Sequence, residues 1–238
     1  HSSTGNNITP ATVLEVYEPE MVRWLFAKYA PTDGFAFNFD DTIIRHYSEF
    51  DKGLEAVKNG EADEYNTAVY DLCMINGINV KAKVPFGVLA SVAPIVDFNP
   101  QAVREMLAKI GVEFDARDEE RLVRVKNWIT KHQPSKMYKL LEKRNDEYYS
   151  GLSDEEKAAV KKLADYIEEH DNVKEQEIQQ YLYGIINDPS LTKKENMARQ
   201  QKFFAVFYNV LFGCDKGPRL YLFLSAIDKS KYLNLLKF

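Results

Sequence analysis

Nine basic residues fall in the last 48 positions of the chain: Lys193, Lys194, Arg199, Lys202, Lys216, Arg219, Lys229, Lys231 and Lys237. Only Glu195, Asp215 and Asp228 oppose them, so this segment carries a net +6 and leaves −11 for residues 1–190 of a chain whose formal net charge is −5. Ammonium and guanidinium groups at that density can neutralise phosphates. A basic end on an acidic body therefore reads as the footprint of localised polyanion binding. The same charges suit a solvated helix face, and charge alone leaves both readings open. The negative total argues against a protein that coats nucleic acid indiscriminately.

Chemistry of the bond-making kind finds no constellation of residues. The sequence has no Gly-x-Gly-x-x-Gly, no phosphate-binding Walker loop and no Gly-x-Ser-x-Gly elbow. The carboxylate pairs Asp40/Asp41 and Glu119/Glu120 stand where helices begin, which fits dipole complementation better than acid–base work. His46 is expected on a helix surface, solvated. The four histidines lack metal-ligand spacing, and Cys73 and Cys214 lie far apart, so no metal site is expected and both cysteines are read as reduced thiols of a cytoplasmic protein. Taken by itself the chain looks like a binding module.

The elements that must position these residues are helical almost throughout. Thr9 caps a short helix with Pro10 at its first position. Met21, Val22, Leu25 and Phe26 recur at helical spacing around Trp24, and Ile43, Ile44, Tyr47, Phe50, Leu54 and Val57 form one stripe over 41–58. Further helices are predicted over 62–73, 86–93, 101–110, 115–132, 136–149, 173–186, 191–211, 218–227 and 229–236. Ser153 and Glu156 form a capping box that opens another, ending at Glu169. Only Phe35–Phe39 alternates like an extended segment. The fold class expected is all-α with one short extended segment. The Asp97-Phe-Asn-Pro100 signal divides it into residues 1–97 and 98–238. No apolar run approaches the ~18 residues of a membrane span, and the polar stretch His1–Asn7 does not resemble a secretory leader.

The two ends carry a resemblance. Ser2-Ser3-Thr4-Gly5-Asn6 is similar to the end of the Lys-Met-Ser-Lys-Ser signature loop of class I aminoacyl-tRNA synthetases and the Lys-Gly-Asn that follows it, with Thr4 where lysine is common. Leu14-Glu15-Val-Tyr-Glu18-Pro19-Glu20 and the apolar, arginine-bearing stretch to Tyr29 resemble the segment after that loop in the class I lysyl enzymes. Phe37-Asn-Phe-Asp40 and the run ending Tyr47-x-Glu49-x-Asp51 resemble the next. Gly217-Pro218-Arg219-Leu220, with Phe223-Leu-Ser and Lys229-x-x-x-Leu233, is similar to their carboxy-terminal ending. The chain thus resembles the carboxy-terminal part of a class I lysyl-tRNA synthetase over nearly its whole length.

The resemblance implies a parent enzyme that attaches lysine to tRNA(Lys) using ATP. It also implies that the nucleotide-binding domain and the signature lysine lie before residue 1, so that these 238 residues alone neither bind ATP nor aminoacylate. Residues 1–97 would be the end of the signature loop and a stem-contact-like connective region, and 98–238 an α-helical anticodon-binding cage. Lys193, Lys194, Arg199, Gln200, Lys202 and Arg219 are the implied tRNA contacts. Phe203, Phe204, Phe207 and Tyr208 read mainly as core, with base stacking as the alternative. Arg23 and Lys28 are placed nearer the inner side of the tRNA, and Lys81 and Lys83 are a substitute site. Two other classes stay open: a free-standing synthetase-like RNA binder and a helical protein-interaction module without nucleic acid.

Overall fold

A computed structural model describes residues 8–29, 38–77 and 81–238. Ser2–Asn6 of the signature-like loop and Phe35–Phe37 of the extended segment lie outside the described residues. Among the described residues there are thirteen α-helices and no strand, as an all-α reading requires. The chain forms two compact units. One comprises residues 1–93, 98–100 and 113–137, the other 94–97, 101–112 and 138–238. The chain first passes between them near the expected boundary at residue 97, where Asp97 and Phe98 both adopt positive φ (49° and 58°). It then returns to the first unit for residues 113–137, a stretch that the sequence reading assigns to the second part.

The first unit contains α1 (Pro10–Leu14), α2 (Pro19–Lys28), α3 (Thr42–Lys58), α4 (Glu64–Cys73), α5 (Phe86–Val92) and α7 (Ala116–His132). Its core is a run of aromatic rings: Trp24 packs edge-on to Phe50 and Phe50 lies against Tyr70, while Tyr47 stacks on Phe86 at 4.2 Å and Phe86 meets Trp128. The expected stripe of α3 holds for Ile43, Tyr47, Phe50 and Leu54, which are buried, and Ile44 and Val57 are half-buried. His46 is not a surface residue. It is buried on this helix and bonded through Nδ1 to the Tyr17 hydroxyl at 3.0 Å.

The second unit contains α6 (Pro100–Lys109), α8 (Asp146–Ser150), α9 (Asp154–Glu169), α10 (Glu175–Ile186), α11 (Lys193–Phe212), α12 (Leu220–Ala226) and α13 (Leu233–Leu236). Ser153 and Glu156 close the expected capping box on α9, and Thr192 and Glu195 close another on α11. Gly213 ends α11 in the left-handed conformation (φ 71°), where a side chain would be strained. The helix predicted over 136–149 is absent. A 3₁₀ turn (Pro134–Lys136) is followed by irregular backbone as far as Asn145, which caps the short α8. Leu141 N–H donates to the Leu211 carbonyl, one of the otherwise unpaired acceptors at the end of α11.

A candidate nucleic-acid interface on the second unit

α11 is the element on which all the implied contacts but Arg219 stand, and its faces divide them. Lys193, Met197, Gln200, Phe204 and Tyr208 recur at i, i+4, i+7, i+11 and i+15, which places them on one stripe about 22 Å long. Lys193 and Lys194 are exposed and make no ion pair among the described residues. Met197 is 54% exposed. Gln200 donates through its amide to the Asn187 side chain at 2.8 Å. Phe204 and Tyr208 are half-buried, while Phe203 and Phe207, which flank the stripe on its inner side, are core, as their spacing suggested.

Neighbouring helices extend this stripe. Phe204 meets Tyr221 of α12 edge-on at 5.9 Å, and the Tyr221 hydroxyl lies 3.2 Å from that of Tyr183 on α10. All four rings of Phe204, Tyr208, Tyr183 and Tyr221 are half-buried. The Tyr208 hydroxyl donates to the Pro218 carbonyl at 2.9 Å, and its ring lies over Gly217 so closely that a Cβ there would sit 2.3 Å from Cδ1. The stripe therefore runs into the Gly217-Pro218-Arg219-Leu220 turn. Burial pushes the Tyr208 phenol up to about 12, and burial and the Tyr183 contact also raise that of Tyr221. Both rings stay uncharged near neutral pH, so neither adds a negative charge to the surface.

The other implied contacts are committed elsewhere. Arg199 donates to the Ile186 carbonyl, pairs with Glu155 and lies over the Phe203 ring at 4.8 Å. Its bond to Glu155 holds that carboxyl below its ordinary value. Lys202 pairs with Glu156 at 3.0 Å, and Lys229 reaches the carbonyls at the end of α9 and the Asp171 carboxylate. Lys237 pairs with Glu168. Arg219 is the N-cap residue of α12, not part of its first turn; its own carbonyl accepts from Phe223 N–H. A seven-residue helix capped in this way offers phosphate little at its end. Arg219 instead pairs with Glu175 at 2.9 Å and remains 56% exposed. Asp215 and Asp228, the carboxylates nearest in sequence, are not its partners. Arg199 is bound at the end of α10 and Arg219 at its start, roughly 16 Å apart along the axis. The implied contacts thus form two groups, joined only by the aromatic stripe.

On the first unit the basic candidates are occupied. Arg23 donates twice to the Cys73 carbonyl, at 2.9 and 2.7 Å, and Lys28 pairs with Glu49. Lys81 pairs with Glu55 and Lys83 with Glu113. Met197, Tyr183 and Tyr221 were not singled out from the sequence. The signal for Met197 is the spacing along α11, but the two tyrosines are brought there by tertiary packing.

The amino-acid sequence is similar to those of known proteins. A family model described as tRNA synthetases class I (K) matches residues 1–76. The chain is 26% identical to the lysine–tRNA ligase of Thermococcus kodakarensis over 250 residues, covering 99% of this chain and 46% of that protein. It is 26% identical to the lysine–tRNA ligase of Streptomyces coelicolor (99% and 43%) and 29% identical to that of Picrophilus torridus (96% and 44%). The chain spans less than half the length of these relatives. With the match running from one end of the sequence to the other, the chain is similar over its whole length to class I lysyl-tRNA synthetases.

Proposed function

We propose that this chain is the tRNA-binding, anticodon-recognising part of a class I lysyl-tRNA synthetase. The full-length enzyme would attach lysine to tRNA(Lys) using ATP, and both small substrates would be taken by the catalytic portion. The observation that carries the reading is the stripe on α11. Lysines without ion pairs stand at one end, half-exposed aromatic rings in the middle and an exposed arginine at the other. Unpaired RNA is held by such a combination, because phosphates meet the charges and every base has a π-face for the rings. A stripe of about 22 Å suits a few unstacked nucleotides better than a duplex. In this reading residues 1–97, joined in the fold by 113–137, act as the connective region, and the remainder of 98–238 acts as the helical anticodon-binding cage.

The test is binding of the 238-residue chain to lysine tRNA and to an unrelated tRNA across a salt series. Preference for lysine tRNA and a log–log salt slope reporting released counterions support the reading. Equal, salt-independent affinity sinks it. The same preparation should give no lysine-dependent ATP–pyrophosphate exchange. A second reading, a protein-interaction role for the first unit, has its own observation. Tyr65, Leu72 and Ile75, 65%, 75% and 71% exposed, line one face of α4 and the turn after it. Sedimentation of the chain alone and with candidate proteins tests it.

A further inference from the structure

Two adjoining cavities in the second unit, of about 410 and 160 Å³, share Lys109, Asn172, Val173 and Ser225 as lining residues. The larger is within the size range of small-ligand sites, ~300–1,000 Å³. Its apolar walls are Ile110, Val112 and Val173, and its polar rim is Lys109, Asn172, Lys174 and Gln176. The Asn172 and Gln176 amides are exposed at the mouth of this groove and make no hydrogen bond within the described residues, so both are open to a ligand. Asn172 also holds a positive φ of 54°. Glu175 lines the same cavity and is the residue that pairs with Arg219, where the aromatic stripe ends. Its Oε1 is buried without an aligned hydrogen bond.

We infer that this groove takes one unpaired nucleobase, read at its edge by the Asn172 and Gln176 amides, and that it sets base preference. The inference rests on the proposed RNA-binding role and gives it a specificity site that the stripe lacks. Stacking on Phe204 or Tyr221 is indifferent to base identity because all bases present a π-face. A slot with apolar walls and amides at its rim is not indifferent, since each amide offers both a donor and an acceptor to a base edge. Lys109 and Lys174 stand beside it for the flanking phosphates. Lys109 lies only 3.6 Å from Asp228, a loose pair that a phosphate can displace. Arg219 links the two regions, since a strand leaving the stripe past Tyr221 meets the Arg219–Glu175 pair before the groove.

The test uses the whole chain, lysine tRNA transcripts and the same transcripts with each anticodon-loop base replaced in turn. Asn172→Gly removes the amide and relieves the positive φ, so folding is spared, and it is combined with Gln176→Ala. The double variant is expected to lose about tenfold in discrimination at one loop position while binding base-replaced transcripts as the unaltered chain does. Phe204→Ala, by contrast, should weaken all transcripts alike. If the chain binds lysine tRNA and the double variant keeps its base preference at every position, the groove is no reader and the inference falls while the RNA-binding role stands. If the unaltered chain binds no transcript above background, both fall together.

Discussion

Arg121 and Glu18, 103 residues apart in sequence, meet as a buried two-point pair, Nε to Oε1 at 2.7 Å and Nη2 to Oε2 at 3.2 Å. Asp51 engages the other edge of the guanidinium at 2.7 and 2.9 Å, the Val84 carbonyl accepts from Nη1, and the Tyr47 ring lies beneath at 5.0 Å. Burial opposes the charge, but the two carboxylates outweigh it and hold the guanidinium protonated above its ordinary value. Along the same face of α7, Arg117 pairs with Glu20, Arg124 donates to the Tyr17 carbonyl, Asn127 to that of Glu15, and Lys131 pairs with the Glu15 carboxylate. The Glu15 to Glu20 stretch, part of the family-like segment, is a docking strip for one helix.

Removing one side of such a pair strands buried charges. Arg121→Met should therefore destabilise the chain by about 3–5 kcal/mol, because Glu18 and Asp51 lose their shared partner. Chemical denaturation of the variant against the unaltered chain measures it. A change under 1 kcal/mol would mean that water reaches the site.

The α7 strip also shows where sequence reading stops. Capping boxes at Ser153 and Thr192, the αL glycine at 213 and the stripe of α3 are local signals, and the structure uses them as written. Arg121 sits mid-helix among charged residues and reads as solvent-facing until a strip 103 residues away folds onto it. His46 fails for the same reason, since Tyr17 comes from the distant turn between α1 and α2. The irregular run 137–145 has helix-forming residues, yet its Leu141 amide serves the end of α11. Among the candidate contacts, charge alone could not separate Lys193 from Arg199, because the difference lies in Glu155 and Ile186.

That difference gives opposite outcomes on one helix. Lys193→Ala with Lys194→Ala should leave stability unchanged and lower the salt slope for tRNA binding by roughly 1.4, two phosphate contacts at about 0.7 each. Arg199→Ala should lower the melting temperature, since it unties α11 from the Ile186 carbonyl and Glu155. Equal salt slopes for the double variant and the unaltered chain would take α11 out of the interface.

Acid should weaken the first unit before its carboxylates protonate. Burial lowers the pKa of His46, and also that of His132, whose Nε2 is buried without a partner beside Phe39. Their folded values lie below the unfolded value of about 6.5, so the unfolded chain binds more protons in that range. Stability is then level above about pH 6.5 and falls as the pH drops below it. Denaturation midpoints between pH 5 and 8 should show this, and His46→Phe should shallow the fall. A midpoint independent of pH over that window would count against both histidines.

Arg219→Ala should weaken lysine tRNA binding by roughly tenfold while the melting temperature hardly moves. An ion pair with an arginine this exposed contributes little to stability, and the Glu175 pair involves no aligned hydrogen bond. Unchanged affinity would leave the stripe without its far anchor and restrict binding to the Lys193 end.

Gly217 is where packing and binding should fail together. Its backbone lies under the Tyr208 ring, and a methyl group there would meet Cδ1 at 2.3 Å and Cε1 at 2.6 Å, distances that require the ring to move. The ring cannot swing away freely, because its hydroxyl is held by the Pro218 carbonyl and its edge by Phe204 and Phe212. Gly217→Ala should therefore cost about 1–3 kcal/mol, the usual range for forcing extra volume into a packed site. It should also displace Arg219 two residues on, so lysine tRNA affinity falls with stability. Tyr208→Ala supplies the control: it makes room for the methyl group, so the double variant should regain part of the stability lost by Gly217→Ala while binding stays weak for want of the ring. If the double variant is no more stable than Gly217→Ala alone, the glycine is required for something other than the tyrosine above it.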